Sequence, residues 1–405
     1  MKILFIMNNS FSTSSTSEHL MKAIIERLAE SGNHVHVLQM LKSGDTLTLP
    51  EQLSRYSIKE SNTKKGLVTT EGVRIRPQKK TDFAARYLHA VRHFLSYGKL
   101  LRKHSDAEAA FIQSTNVAGV VVWLVRKYVK GALITYNVQD IMPYNLAFSG
   151  RIKQNGILFS MLAAVQRYGY KHSDHIITIS EDMRDTLTAD GIEADKIEVI
   201  YNWSYQDNLY EKLDLEQVSN LLDRKSFNVV YAGNIGLMQN VDLLIEAAKL
   251  MKDDKSVRFT VIGNGVYAEK LKEKAGKDNL DNITFRPMQP PELAPFIYSA
   301  ADINVIPLVR DVYRTALPSK TATCLACQKP VIFAIGKASR FGREVLRETG
   351  CPLIESSDAQ SLVEEINRIR AGKYTINTGE FFLKGFGVTK NSRRYADIIT
   401  GQTEK

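Results

Sequence analysis

The sequence predicts an α/β protein of two doubly wound domains, each a largely parallel sheet covered by helices. Two observations predict it. Short β-branched and aromatic runs alternate with stretches of helical period, as βαβ units require. That alternation runs through the first half, then restarts at Asn228 after a polar bridge from Ser204 to Phe227. A chain of 405 residues with 44% apolar content has the length and the cores for two or three domains. Two doubly wound domains predict a cleft between them.

The restart is the most informative stretch: Asn228–Asn240, read NVVYAGNIGLMQN. Its first five residues form a buried strand by composition. Gly233 and Gly236 then loosen the backbone, and Val241, Leu244, Ile245 and Ala248 recur at helical spacing. Strand, glycine turn and helix together aim backbone N–H groups and a positive helix end at the carboxyl edge of the sheet. A phosphate suits such a place, although any βαβ unit needs a tight turn as well.

Several classes are excluded. No run of about 18 apolar residues exists, so no transmembrane helix is expected. Met1–Met7 runs directly into Asn8, Asn9 and Ser10, which makes it a first strand rather than a signal sequence. Cys324, Cys327 and Cys351 are too few for a disulfide framework and point to a reducing compartment. Cys324 and Cys327 have zinc spacing but no second pair follows, so a buried helix face is expected and no metal ligands are assigned. The loop after the first strand lacks G-x-G-x-x-G, which counts against a dinucleotide fold.

Charge is local. The net charge is +10, and residues 51–105 hold 13 Lys and Arg against four acids, an excess of nine. Within that stretch the period predicts a helix over Phe83–Lys103, where aromatic residues such as Tyr87 and Phe94 interleave with Arg86, Arg92, Lys99, Arg102 and Lys103. It reads either as a surface helix with a solvated basic face or as an interfacial helix against an anionic bilayer. No nucleic-acid motif accompanies the charge, and no nucleic-acid partner is expected. Arg151–Lys171 repeats the pattern more weakly.

In order, the first half offers strands at Lys2–Met7, His34–Met40, Ala110–Gln113, Leu133–Asn137, His175–Ser180 and Glu198–Tyr201, with a helix from Glu18 to Ser31. Asp140 follows a strand end, as a cap for the next turn or as a functional carboxylate. The second half offers strands at 228–232, 257–262, 283–285, 302–306 and 330–333. Its helices are expected at 240–252, 266–276, 292–299, 319–327, 340–348 and 358–371, with one or two closing helices from Gly379 to Thr400.

Five motifs, in order and at matching spacing, carry a resemblance: Ser180-Glu181-Asp182-Met183; Asp195-Lys196-Ile197 with Asn202-Trp203; Tyr231-Ala232-Gly233-Asn234-Ile235-Gly236; Leu317-Pro318-Ser319-Lys320-Thr321; and Leu325-Ala326 with Lys329-Pro330-Val331-Ile332. Together they resemble family 4 glycosyltransferases, in particular the bacterial polysaccharide branch of fucosaminyltransferase-like enzymes. The resemblance implies a GT-B fold, with an acceptor-binding Rossmann-like domain over 1–205, a nucleotide-sugar-binding one over 206–384, and 385–405 packing back on the first. It implies retention at the anomeric carbon without a metal or other cofactor.

Mapped residue by residue, the resemblance places the donor diphosphate against Gly233, Asn234, Gly236 and Gln239, with Lys320 as the cation that meets the leaving group after Leu317, Pro318 and Ser319. Arg314 is a further cation. Gly263 and Asn264 match a turn near the nucleotide, and Arg286, Pro287 and Met288 match the place where the base is read. Ser14, Ser15 and Thr16 lie in a loop facing donor and acceptor, with Asn137 beside it, and Asp140 stands where the family has a catalytic-site His or Asp. The chain departs from the family at its two glutamates, which correspond to Thr315 and Thr323. A hydroxyl cannot accept two ribose hydrogen bonds as a carboxylate does. The family's Gly before Lys-Pro is Gln328.

The reading that follows is a glycosyltransferase on the inner face of the bacterial cytoplasmic membrane, passing a sugar from a nucleotide diphosphate, with UDP favoured, to a lipid-linked saccharide in surface polysaccharide synthesis. The alternatives are a non-catalytic partner subunit of the same fold, suggested by the two threonines, and a sugar-nucleotide epimerase, for which the cleft segments show few acid–base residues.

Overall fold

The structure is a computed structural model that describes residues 1–12, 18–42, 44–57, 66–74, 97–115, 117–154 and 156–402. The chain forms two compact units. The first comprises Met1–Ile179, Arg184–Tyr201 and Val388–Lys405; the second comprises Ser180–Met183 and Asn202–Gly387.

The first unit is built on seven strands: β1 (Lys2–Ile6), β2 (His34–Leu41), β3 (Leu67–Arg74), β4 (Ala109–Gln113), β5 (Leu133–Val138), β6 (His175–Thr178) and β7 (Ile197–Val199). They lie in the order β3-β2-β1-β4-β5-β6-β7, all parallel. Its helices are α1 (Glu18–Glu30), α2 (Glu51–Ser54), α3 (97–103), α4 (Ala118–Tyr128), α5 (Tyr144–Phe148), α6 (Ile157–Lys171) and α7 (Glu181–Ala189), whose first turn belongs to the second unit. Burial on both faces explains the continuous apolar strands. Ile3, Leu4 and Phe5 of β1 are wholly buried, and Phe5 stacks on Phe111 of β4 with ring centroids 4.3 Å apart.

The second unit has six parallel strands in the order β10-β9-β8-β11-β12-β13, namely β8 (Phe227–Ala232), β9 (Val257–Ile262), β10 (Ile283–Arg286), β11 (Ile303–Pro307), β12 (Val331–Ala334) and β13 (Leu353–Ile354). Around it stand α8 (Asp242–Leu250), α9 (Ala268–Lys277), α10 (Ala294–Ala300), α11 (Lys320–Ala326), α12 (Arg340–Thr349), α13 (Ala359–Arg370) and α14 (Gly379–Gly385). The strand order reverses between β8 and β11, which makes the loop after β8 the switch point where doubly wound sheets take ligands. The last helix, α15 (Val388–Ile399), belongs to the first unit and packs on α1.

Besides the short helices α2 and α5, the sequence reading misses β3 and α4 of the first unit. β3 lies inside the basic stretch, where its Val and Thr residues are hidden among charges. Between β4 and β5 the run Val120-Val121-Val122-Trp123-Leu124-Val125 has strand composition yet forms α4. Packing overrides propensity there. A Cβ on Gly119 would lie 1.8 Å from the Val165 carbonyl oxygen, and one on Gly169 would lie 2.9 Å from the Gly119 Cα, so two glycines let α4 and α6 touch. The helix expected over Phe83–Lys103 is present as α3 over 97–103; the rest of it lies outside the described residues. Among the described residues no helix is long and apolar enough to cross a membrane.

Candidate donor-binding site

In the second unit, two loops at the carboxyl ends of β8 and β9 are stitched together by backbone. Gly233 N–H donates to the Ile262 carbonyl (2.9 Å), Ile235 N–H to that of Asn264 (2.9 Å), Gly263 N–H to that of Arg286 (3.0 Å) and Tyr267 N–H to that of Ile235 (3.1 Å). The approach is so close that only glycine fits. A Cβ on Gly263 would stand 1.9 Å from the Gly233 carbonyl oxygen, and one on Gly265 2.1 Å from that of Ile235. This corrects the expectation that the whole turn offers its N–H groups to a ligand. Those of Gly233, Ile235 and Gly263 hold the loops together, while among the described residues those of Asn234 and Gly236 have no partner within the protein.

Lys320 opens α11 and reaches back under this loop. Its Nζ lies 3.6 Å from the centroid of the Tyr231 ring, and a Cβ on Gly233 would stand 2.8 Å from it. The ammonium is buried and has no hydrogen-bond partner. Burial pushes its pKa down to about 7. The Tyr231 hydroxyl donates to the Asn234 carbonyl (2.5 Å), which fixes the ring beneath the turn. A cation beside a glycine loop, desolvated and satisfied only by an aromatic face, is set up for an anion.

The other donor-side candidates fall into two groups. Ser319 and Arg314 are exposed, Leu317, Pro318 and Gln239 are half-buried, and Met288 is 46% exposed beside Pro287 and Arg286 at the end of β10. The Arg286 and Pro287 carbonyls already accept from Gly263 N–H and Gln289 Nε2. Thr315 and Thr323 are instead turned inward. Thr315, 1% exposed, donates its hydroxyl to the Val312 carbonyl (3.1 Å), and Thr323 Oγ1 faces Ser204 Oγ at 3.4 Å. Both hydroxyls therefore have partners within the fold.

In the first unit, Asp140 is half-buried and accepts from Asn145 Nδ2 (2.7 Å). Desolvation by burial pushes its pKa up to about 6 against that hydrogen bond. The carboxyl group is therefore poised to hold or release a proton near neutrality. Asn137, expected beside the acceptor, is fully buried and its Oδ1 accepts from Tyr395 of α15 (3.0 Å) and from Gln139 (3.0 Å), so it ties α15 to the sheet instead. Ser14, Ser15 and Thr16 lie outside the described residues.

Arg86, Tyr87, Arg92 and Phe94 also lie outside them, whereas Lys99, Arg102 and Lys103 are exposed on α3. The Arg102 guanidinium sits over the Tyr128 ring, 4.6 Å from its centroid, and Lys127 sits 4.8 Å over Trp123. On the packed pair α4 and α6, Trp123 is 39%, Met161 62% and Ile157 85% exposed.

The comparison with known proteins decides the family. Residues 226–371 match the family described as Glycosyl transferases group 1, and residues 18–203 match the Glycosyl transferase 4-like domain. The chain belongs to the family 4 glycosyltransferases. It is 23% identical to the probable glycosyltransferase WbjE of Pseudomonas aeruginosa over 59% of this chain and 61% of that protein. It is 28% identical to the putative colanic acid biosynthesis glycosyl transferase WcaI of Escherichia coli K12 over 47% of each. The matches thus span about half to three-fifths of those relatives. Among solved structures, Anabaena Alr3699/HepE in complex with UDP superposes with a TM-score of 0.71 at 15% identity, covering 99% of this chain and all of that one. WaaG, a glycosyltransferase involved in lipopolysaccharide biosynthesis, superposes at 0.69 with 13% identity, covering 98% of this chain and all of WaaG. The fold is GT-B.

The family's Ser-Glu motif has a structural task that the sequence did not reveal. Asp182, 6% exposed, accepts from Ser339 Oγ (2.8 Å), Arg340 N–H (2.7 Å) and Phe341 N–H (3.0 Å), and so caps α12 from a distant segment. No local rule links Asp182 to α12, because that helix lies more than 150 residues away in sequence.

Proposed function

We propose that this chain transfers a sugar from a nucleotide diphosphate donor to a saccharide acceptor, with retention at the anomeric carbon and without a metal. One observation carries the reading: the buried, unpartnered Lys320 ammonium beside the Gly233–Gly236 loop. A leaving nucleoside diphosphate gains charge as the glycosidic bond breaks. A fixed cation with backbone donors stabilises that charge more in the transition state than in the ground state. Lys320, Asn234 N–H and Gly236 N–H are the groups we assign to the diphosphate, with Arg286–Met288 flanking the base. UDP is favoured, in keeping with the UDP and UDP-glucose held by Anabaena HepE. The names of WbjE and WcaI support surface polysaccharide assembly, and a lipid-linked acceptor on the cytoplasmic face of the membrane fits the exposed Trp123, Ile157 and Met161 beside basic α3.

A thermal-shift panel with UDP-, GDP-, TDP- and ADP-sugars, with and without magnesium, tests the donor. A saturable shift with one base, unchanged by chelation, is expected. Absence of any shift at millimolar ligand would favour a second reading, a non-catalytic partner subunit, for which the inward-turned Thr315 and Thr323 speak. For the membrane, substituting Arg92, Lys99 and Arg102 together is expected to abolish salt-sensitive binding to anionic vesicles. Binding indifferent to lipid charge and to these residues would refute that part.

A further inference from the structure

At the β2–β3 edge of the first sheet, three side chains converge that the donor-site reading does not use. Strand register sets His36 opposite Thr69 and Leu38 opposite Glu71, so His36, Thr69 and Glu71 share one face of the sheet. His104, at the end of α3, stacks on His36 with ring centroids 3.9 Å apart. The two imidazoles are 7% and 8% exposed. His36 Nδ1 is 2.6 Å from Thr69 Oγ1, which leaves its Nε2 for another partner. That Nε2 and His104 Nε2 both point at Glu71 Oε2, at 3.9 and 3.8 Å, and neither makes a hydrogen bond. The ligating atoms of all three residues lie within 4.8 Å of one another. Burial lowers the pKa of both rings, that of His36 to about 4.

We propose that His36, Glu71 and His104 bind a divalent transition-metal ion of the zinc class in a structural site. Two imidazole nitrogens and one carboxylate oxygen are zinc's ordinary donors at about 2.0–2.2 Å, which in a tetrahedral site sets neighbouring ligand atoms about 3.4 Å apart. Reaching that geometry from contacts of 3.8 and 3.9 Å requires the side chains to rotate and the stacked His36 and His104 rings to open. Thr69 holds His36 with Nε2 toward the site, as the outer partners of metal-bound histidines do. Lys103 pairs with Glu71 Oε1 from the solvent side, which leaves Oε2 as the single ligating oxygen. Its ammonium also opposes the bound cation and so weakens the site. The ion would staple β2 and β3 to α3, joining a sheet edge to a helix through side chains alone.

The test is titration of the full-length, chelator-stripped protein with Co²⁺, read by its visible absorption, and with Zn²⁺ against a chromophoric chelator. One equivalent is expected to bind. Glu71→Gln and His104→Ala are expected to weaken binding at least about tenfold. Lys103→Ala, at an exposed position that leaves the core untouched, is expected to tighten it. His34→Ala, on an exposed ring, is expected to change nothing. Absence of binding at micromolar metal would overturn the proposal. So would full affinity in Glu71→Gln, or unchanged affinity in Lys103→Ala, either of which would place the ion elsewhere.

Discussion

The Lys320 ammonium rests 3.6 Å above the Tyr231 ring with no hydrogen-bond partner. A buried cation satisfied only by a quadrupole is a local weakness in the ligand-free fold. Lys320→Met keeps the apolar stem and removes the charge. Turnover is expected to fall roughly a hundredfold or more, the scale of losing one donor to a developing anion. The melting temperature without ligand is expected to hold or rise. A variant that turns over normally would remove Lys320 from the diphosphate.

The same group sets a pH dependence. Burial moves the Lys320 pKa from 10.5 to about 7. The unfolded chain then binds more protons than the folded one between these values, so Lys320 makes the empty protein gain stability as pH rises through that window. Binding of a diphosphate runs the other way. It favours the ammonium, so above about pH 7 it takes up a proton, and affinity is expected to fall by up to about tenfold per pH unit. Calorimetry with UDP in two buffers of different ionisation enthalpy measures this; affinity flat from pH 6 to 9 with no proton uptake would exclude the mechanism.

Gly263 stands where two loops meet. A methyl group there would lie 1.9 Å from the Gly233 carbonyl oxygen, a backbone atom with nowhere to retreat. Gly263→Ala is expected to cost about 3 kcal/mol and to spread the loop that frames Lys320. Unfolding curves and nucleotide titration of the variant check both effects, and a melting temperature matching the parent would show the loops to be looser than described.

Gln328 ends α11 in the left-handed region, at φ +55°, where the family has glycine. The side chain is exposed and only its Oε1 lies near Gly379, so little packing is lost on removing it. Gln328→Gly is expected to stabilise the protein by about 0.5–1 kcal/mol, the left-handed penalty less the entropy of glycine. Denaturant midpoints decide it; a lower midpoint would mean that Gln328 holds its turn by contacts of its own.

Local chemistry was legible in the sequence. The strand Asn228–Ala232, the glycines after it and the helix at Lys320 follow from period, composition and turn residues acting within a few positions of one another, and so did the restart that divides the chain. What needed the tertiary structure were relationships between segments. Val120–Val125 has strand composition, yet it is helical because Gly119 and Gly169 let α4 press against α6. Asn137 and Thr323 are polar by type but buried by neighbours from elsewhere in the chain, Tyr395 and Ser204. The N–H groups of Gly233 and Gly263 are consumed by partners that no local rule names. His36, Glu71 and His104 meet only because β2 pairs with β3 and the end of α3 brings His104 against them. The physical reason is the same throughout: propensity is a property of a residue and its near neighbours, whereas desolvation, close approach and ligand geometry are properties of groups that folding alone brings together.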